Sequence, residues 1–360
     1  MKRLKFIPIL LLSLMATSCC ELFDDCPDTE EVTGENAEEF NVLIQDVKTF
    51  ANSPAIPANS NTIDVYFKLN DINGNPVPNR SETFFEIFEK SSSQSEFNII
   101  SVNEADRRID PNRADFRYFN TIVLDLSGSV IASADGLNIL KDATTNFVNS
   151  TYGDIGNENL FTSIIWFDGL DNINILQEFT NEQGLLLDQI ESINADLPQD
   201  SSTNLNGAVV QSVNYLTSTL NSQPSSFILG GSILFFTDGR DQANRVSASL
   251  AQSAASNVAN GSRPVNVYTI GLGSEIDETF LTTIGSSGAF FADNISDLQA
   301  EFQRVAQRIE DEANSYYLMR YCSPKRDGVN EVKIGVKGKA SIGGIAGFNA
   351  SSFVDNCLIE

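Results

Sequence analysis

The sequence predicts an α/β chain: a doubly wound, mostly parallel sheet inserted in a small β-sandwich built from the N- and C-terminal flanks. Three observations carry that prediction. Two uninterrupted apolar runs, Thr121-Ile122-Val123-Leu124 and Ile233-Leu234-Phe235-Phe236-Thr237, have the composition of strands buried on both faces. Around them stand segments whose apolar residues recur at spacings of three and four, so strands and helices alternate as a doubly wound sheet requires. Towards both ends of the chain the apolar period falls to two, the signature of antiparallel strands.

Taken in order, residues 1–18 read as an export signal. Lys2, Arg3 and Lys5 precede an apolar stretch over 6–16 and the small residues Ala16-Thr17-Ser18. Eleven apolar residues are too few to span a bilayer. Residues 19–54 are expected to form an acidic, disordered tether, because ten acids and no Lys or Arg lie between Glu21 and Asp46. Residues 55–115 and 315–360 are read as the two parts of the sandwich; two unrelated flanking extensions are the alternative. In the first part, Ile63, Val65, Phe67 and Leu69 alternate ahead of an Asn73-Gly74 turn, with further strands at 84–88 and 97–102. In the second, 316–322 and 331–337 alternate, with Val332, Ile334 and Val336 inward.

The central block covers 116–314. Leu137, Leu140, Thr144 and Phe147 line one helical face, and Leu205, Val209, Val213, Leu216 and Leu220 another. A helix over 297–313 is expected to open on a Ser296/Gln299 capping box and to bury Leu298, Phe302, Val305 and Ile309. Trp166, in the strand 162–167, reads as core. Gly343, Gly344 and Gly347 read as turn or bulge residues.

Both central runs end in an acid. Asp125 closes one and Asp238 the other, which places two carboxylates at carboxyl ends of strands, where open α/β sheets bind ligands. Ser127 and Ser129 follow Asp125 in a turn loosened by Gly128, and Thr203 lies in the loop Ser201-Ser202-Thr203-Asn204. Brought to one sheet edge, these five side chains make an all-oxygen nest for a hard divalent cation, with a coordination position left for an anionic oxygen. The alternative is that Asp125 and Ser127 cap the helix that follows and Asp238 forms a turn with Gly239.

Together the segment 125–129, Thr203 and Thr237-Asp238-Gly239, with the strand 267–273, resemble the metal-ion-dependent adhesion site of von Willebrand factor type A domains. The resemblance implies that Ser127 and Ser129 bind the cation directly, that Asp125 binds directly or through water, that Thr203 joins in the ligand-bound state, and that Asp238 acts mainly from behind these. It implies Mg²⁺ or Mn²⁺ ahead of Ca²⁺, and a protein or glycan partner with an exposed carboxylate. It also implies a binding module and not an enzyme. The rival class, a metal-dependent hydrolase or phosphotransferase, lacks a histidine for general-base work. A structural subunit of an envelope assembly is the third reading. A β-domain split around a type A module is likewise a layout seen in bacterial chains of this kind.

Ala16-Thr17-Ser18-Cys19 resembles a bacterial lipoprotein cleavage site, with Ala16 where Leu is usual. It implies lipidation of Cys19, an outer-membrane anchor and, with Glu21, Asp24 and Asp25 following, display at the cell surface; a periplasm-facing anchor and an ordinary signal peptide are the alternatives. Loss of residues 1–18 would remove three positive charges and no acids, leaving 20 basic against 48 acidic residues, a net of −28. That balance excludes nucleic acid as a partner, since binding it needs a positive face. An exported chain can form disulfides. Cys322 with Cys357 and Cys20 with Cys26 are the candidates among three possible connectivities, and without histidine or C-x-x-C a zinc site is not expected.

Overall fold

The computed structural model describes residues 40–50, 61–111, 116–131, 134–153, 158–260, 263, 265–353, 357 and 359. The N-terminal flank holds β1 (Phe40–Phe50), β2 (Thr62–Asp71), β3 (Phe85–Ser91), β4 (Asn98–Ile99) and β5 (Arg107–Pro111). The central block runs β6 (Phe116–Asp125), α1 (Gly128–Ile131), α2 (Ala134–Tyr152), β7 (Leu160–Phe167), β8 (Asn174–Thr180), α3 (Gln183–Ser192), α4 (Leu205–Ser222), β9 (Ile228–Thr237), α5 (Ala248–Ala259), β10 (Val265–Leu272), α6 (Glu278–Ile284), β11 (Gly288–Ala292) and α7 (Leu298–Ala313). The C-terminal flank adds β12 (Tyr316–Cys322), β13 (Val329–Val336) and β14 (Lys339–Asn349).

The central sheet has the order β11-β10-β9-β6-β7-β8. Every pair in it is parallel except β7 with the edge strand β8. Each central strand serves two cores. Ile122 and Leu124 of β6, with Leu234 and Phe236 of β9, pack under α2 and α7; Val123 with Ile233 and Phe235 pack under α4, α5 and α6. That double burial is why the runs show no polar alternation. Leu140, Thr144 and Phe147 are fully buried on α2, and the apolar faces expected on α4 and α7 are buried as well. Trp166 is 8% exposed and belongs to the α2/α7 core.

The flanks form two four-stranded antiparallel sheets, β1-β2-β12-β5 and β14-β13-β3-β4. They share one core, in which Ile63, Val65, Phe67 and Leu69 meet Val332, Ile334 and Val336. Phe67 stacks on Tyr317 at 5.2 Å and meets Phe85 edge-on at 5.3 Å, aromatic geometries that add to simple burial. The chain is therefore a sandwich whose two halves are separated in sequence by the doubly wound block. The other face of β2 makes charged links: Arg320 grips Asp64 through Nε at 2.8 Å and Nη2 at 2.7 Å, and Lys68 pairs with Glu312 at the end of α7 at 2.5 Å. Cys322 and Cys357 are joined by a disulfide. Cys19, Cys20 and Cys26 lie outside the described residues.

Several expectations are corrected. Residues 40–50, assigned by composition to the tether, form β1, paired antiparallel with β2; Phe40 and Val42 are buried in the sandwich core, and that apolar pairing outweighs the acidic surroundings. The strand expected over 97–102 shrinks to the two residues of β4. The approach to α7 is organised by Asn294, whose side chain accepts from the Ser296 N–H, while Asp297, the residue before the helix, makes no side-chain cap. Gly343, Gly344 and Gly347 lie within β14; the pairing with β13 shifts register next to Gly343, at the expected bulge, while Gly344 and Gly347 are ordinary strand positions. A Cβ on Gly344 would stand 2.8 Å from the Val42 carbonyl oxygen, so this glycine is needed where β14 passes close to β1.

Candidate metal site

β6 and β9 are neighbours in register, with Leu124 opposite Phe236, so Asp125 and the Thr237-Asp238-Gly239 segment emerge side by side at the carboxyl edge. Asp125 is wholly buried. Its Oδ1 accepts the Ser127 N–H at 2.9 Å and its Oδ2 the Thr237 hydroxyl at 2.6 Å. The first bond closes a turn over residues 125–127; the second ties β6 to β9. Ser129 Oγ donates to Asp238 Oδ1 at 2.8 Å, a second tie between the same two segments.

Thr203 arrives from the other side. Asn204 caps α4 by accepting the Gly207 N–H, and the Thr203 carbonyl accepts the Gln242 and Ala243 N–H groups at 2.8 and 3.0 Å. Gly128 donates its N–H to the Ser201 carbonyl at 3.0 Å. A Cβ there would stand 2.8 Å from the Ser201 Cβ, so glycine lets the two loops touch. The Thr203 hydroxyl lies 3.5 Å from where a Cβ on Gly239 would be. Asp125, Ser127, Ser129, Thr203 and Asp238 thus share one edge of the sheet.

Asp168 is a site residue that sequence reasoning passed over. It closes β7 and is fully buried. Its Oδ1 takes the Leu170 N–H at 2.8 Å, and its Oδ2 the Gln199 and Asp200 N–H groups at 2.8 and 3.1 Å. Its carbonyl takes the Asn204 N–H at 2.9 Å. Asp168 therefore fixes both ends of the loop that carries Thr203, one through its carboxylate and the other through its carbonyl. The signal was present, since Asp168-Gly169 ends an apolar run as Asp238-Gly239 does.

The electrostatics test whether a cation fits. Burial pushes the Asp125 carboxyl up to about 7, offset in part by the Thr237 hydroxyl and reinforced by the charge of Asp238. Burial also raises Asp238 above the usual carboxylate range, against the Ser129 hydrogen bond. A buried acid with a half-buried acid beside it calls for a positive partner. Ser127 Oγ is buried beside the Asp125 carboxyl without a well-formed hydrogen bond, an oxygen of the kind that a cation satisfies. Among the described residues no group of three or more His, Cys, Asp or Glu side chains could hold a metal. The donor set here combines carboxylates with hydroxyls, which suits a hard cation.

The family model for the von Willebrand factor type A domain matches residues 121–305, and the chain belongs to that family. Solved structures with similar folds include the von Willebrand factor type A protein from Catenulispora acidiphila, at 11% identity over 88% of this chain and 74% of that one, TM-score 0.45. A second is the vWF domain of the type V pili tip protein Mfa5 from Porphyromonas gingivalis, at 13% identity over 54% and 95%, TM-score 0.42. A third is proximal thread matrix protein 1 from the mussel byssus, with a zinc-occupied MIDAS motif, at 14% identity over 60% and 49%, TM-score 0.42. The chain spans about half the length of that mussel protein. No curated protein matches the sequence.

Proposed function

We propose that this chain is an envelope-anchored lipoprotein whose type A domain binds a protein or glycan partner by an exposed acidic group, through a divalent cation. Asp125, Ser127, Ser129 and Thr203 would hold the cation, with Asp238 supporting from behind. The observation that carries the reading is the buried Ser127 Oγ, without a well-formed hydrogen bond, beside the Asp125 carboxyl, at a site where burial raises both Asp125 and Asp238. When bound, Mg²⁺ or Mn²⁺ would supply positive charge and an open position for a carboxylate oxygen. The rest of the work falls to the protein: Thr237 and the Ser127 amide orient Asp125, and Asp168 holds the Thr203 loop in place.

We assign the site no turnover. The chain has no histidine, and the acids at the site are engaged in orienting loops. The test is retention of envelope proteins and glycans by the immobilised mature chain, with Mg²⁺, with EDTA, and with Asp125→Ala in Mg²⁺. Binding should need both the metal and Asp125, while circular dichroism shows the variant folded; retention indifferent to EDTA would refute the metal bridge. Anchoring is tested separately by labelling with a radioactive fatty acid, which Cys19→Ser should abolish.

A further inference from the structure

We propose that Arg240 is a second anchor for the ligand, so that the site takes an acidic peptide with two carboxylates close in sequence, one for the cation and one for the guanidinium. This rests on the metal-bridge reading above and names the ligand class it would serve.

The loops that meet at the site cover residues 125–131, 168–173, 199–206, 238–247 and 273–278. Their only basic residues are Arg240 and Arg245, against Asp125, Asp168, Asp171, Asp200, Asp238, Asp241, Glu275, Asp277 and Glu278. Arg245 is committed to the protein. Its Nη1 lies 3.1 Å from Asp171 and its Nη2 3.9 Å from Asp200, and its Nε donates to the Gly169 carbonyl at 2.7 Å. Arg240 differs. It is exposed, its Nε donates to the Ile276 carbonyl at 3.2 Å, and among the described residues it forms no salt bridge. One bond fixes the stem and leaves the planar Nη pair, the geometry that grips a carboxylate with two parallel hydrogen bonds.

The nearby acids do not neutralise it. Asp241 Oδ1 accepts the Asn206 N–H and Oδ2 the Asn244 N–H, both at 3.0 Å, and Asp277 Oδ1 accepts the Phe280 N–H at 2.9 Å. Arg240 stands two residues beyond Asp238 and follows Gly239, whose Cβ position would lie 3.5 Å from the Thr203 hydroxyl. It opens onto a cleft of about 420 Å³ lined also by Asn206, Asp241, Asn244, Val246, Ala248 and Asp277. A chain this acidic repels an acidic partner everywhere except at a local positive point. The cation would be one such point and Arg240 is the other on this rim. Val246 and Ala248, which line the cleft and are at least partly exposed, give it apolar surface for the aliphatic part of a peptide side chain, which favours a peptide over a sugar acid.

The experiment titrates the full mature chain, with Mn²⁺, with acetylated peptides carrying a single Glu or a second Glu placed one to three residues further on, and with digalacturonate. The best two-Glu peptide should bind on the order of tenfold more tightly than the single-Glu control. Arg240→Gln should bring that ratio to about one and leave Mn²⁺ affinity and single-Glu binding unchanged, and Arg240→Lys should restore part of it. If the second Glu adds nothing, or Arg240→Gln leaves the ratio intact, the proposal is overturned while the metal bridge stands. Digalacturonate binding as tightly as the best peptide, with the same dependence on Arg240, would overturn the peptide assignment. If no peptide binds in a metal-dependent way at millimolar concentration, the metal bridge itself fails and this proposal with it.

Discussion

Ser129 Oγ donates to Asp238 Oδ1 at 2.8 Å, tying the turn after β6 to the end of β9 across 109 residues of sequence. The bond offsets part of the burial that raises Asp238. Asp238→Asn keeps the shape and removes a half-buried charge. We expect the melting temperature in EDTA to hold or rise, and cation affinity to fall about 10–100-fold, the usual loss when a supporting partner of a metal site is altered. Calorimetric titration with Mn²⁺ beside a thermal melt reads both.

Gly128 lies where two loops touch. Gly128→Ala would place a methyl carbon 2.8 Å from the Ser201 Cβ, pushing the Thr203 loop away from Ser127. The expected cost is about 1–3 kcal/mol of stability, as for overpacking elsewhere, with a larger proportional loss of cation affinity. Denaturant unfolding with and without Mg²⁺ separates the two effects.

Asp168 holds three N–H groups with one buried carboxylate. Asp168→Ala leaves those donors without their acceptor and should cost about 3 kcal/mol. Faster hydrogen exchange should centre on residues 199–204. Loss spread evenly over the domain would mean that Asp168 does not position the Thr203 loop.

Much of this site was legible before any coordinates. β6 and β9 announce themselves because burial on both faces leaves a continuous apolar run, and an acid at the end of such a run marks the ligand edge. β1 was hidden because the acids around it dominate composition, while the residues that pair with β2 show only in three dimensions. β4, β5 and β11 are too short for a period to declare itself. Asp168 was missed because its partners are backbone amides of a distant loop, which no side-chain pattern records. Arg240 and Arg245 look alike in sequence and differ only in what surrounds them.

The sandwich offers a test by pH. Glu89 is 1% exposed; its Oε1 accepts from Ser323 Oγ, and the Tyr321 hydroxyl lies within reach of the same carboxylate. Burial raises its carboxyl above the usual value, against the Ser323 hydrogen bond, the charge of Lys325, the Tyr321 hydrogen bond and the charge of Arg326. The folded chain therefore keeps a proton that the unfolded chain releases near 4.5, so Glu89 costs stability as pH rises from there through its folded value. Glu89→Gln should gain on the parent over that window and hold a constant lead above it. A gap between the two that does not change with pH would contradict this account.

Calorimetric titration of the mature chain and of Ser127→Ala with Mn²⁺ tests the central claim most directly. The account predicts one site in the parent protein and none measurable in the variant, with both giving the same circular dichroism spectrum. Equal affinity in the two, or no binding by the parent, would contradict it.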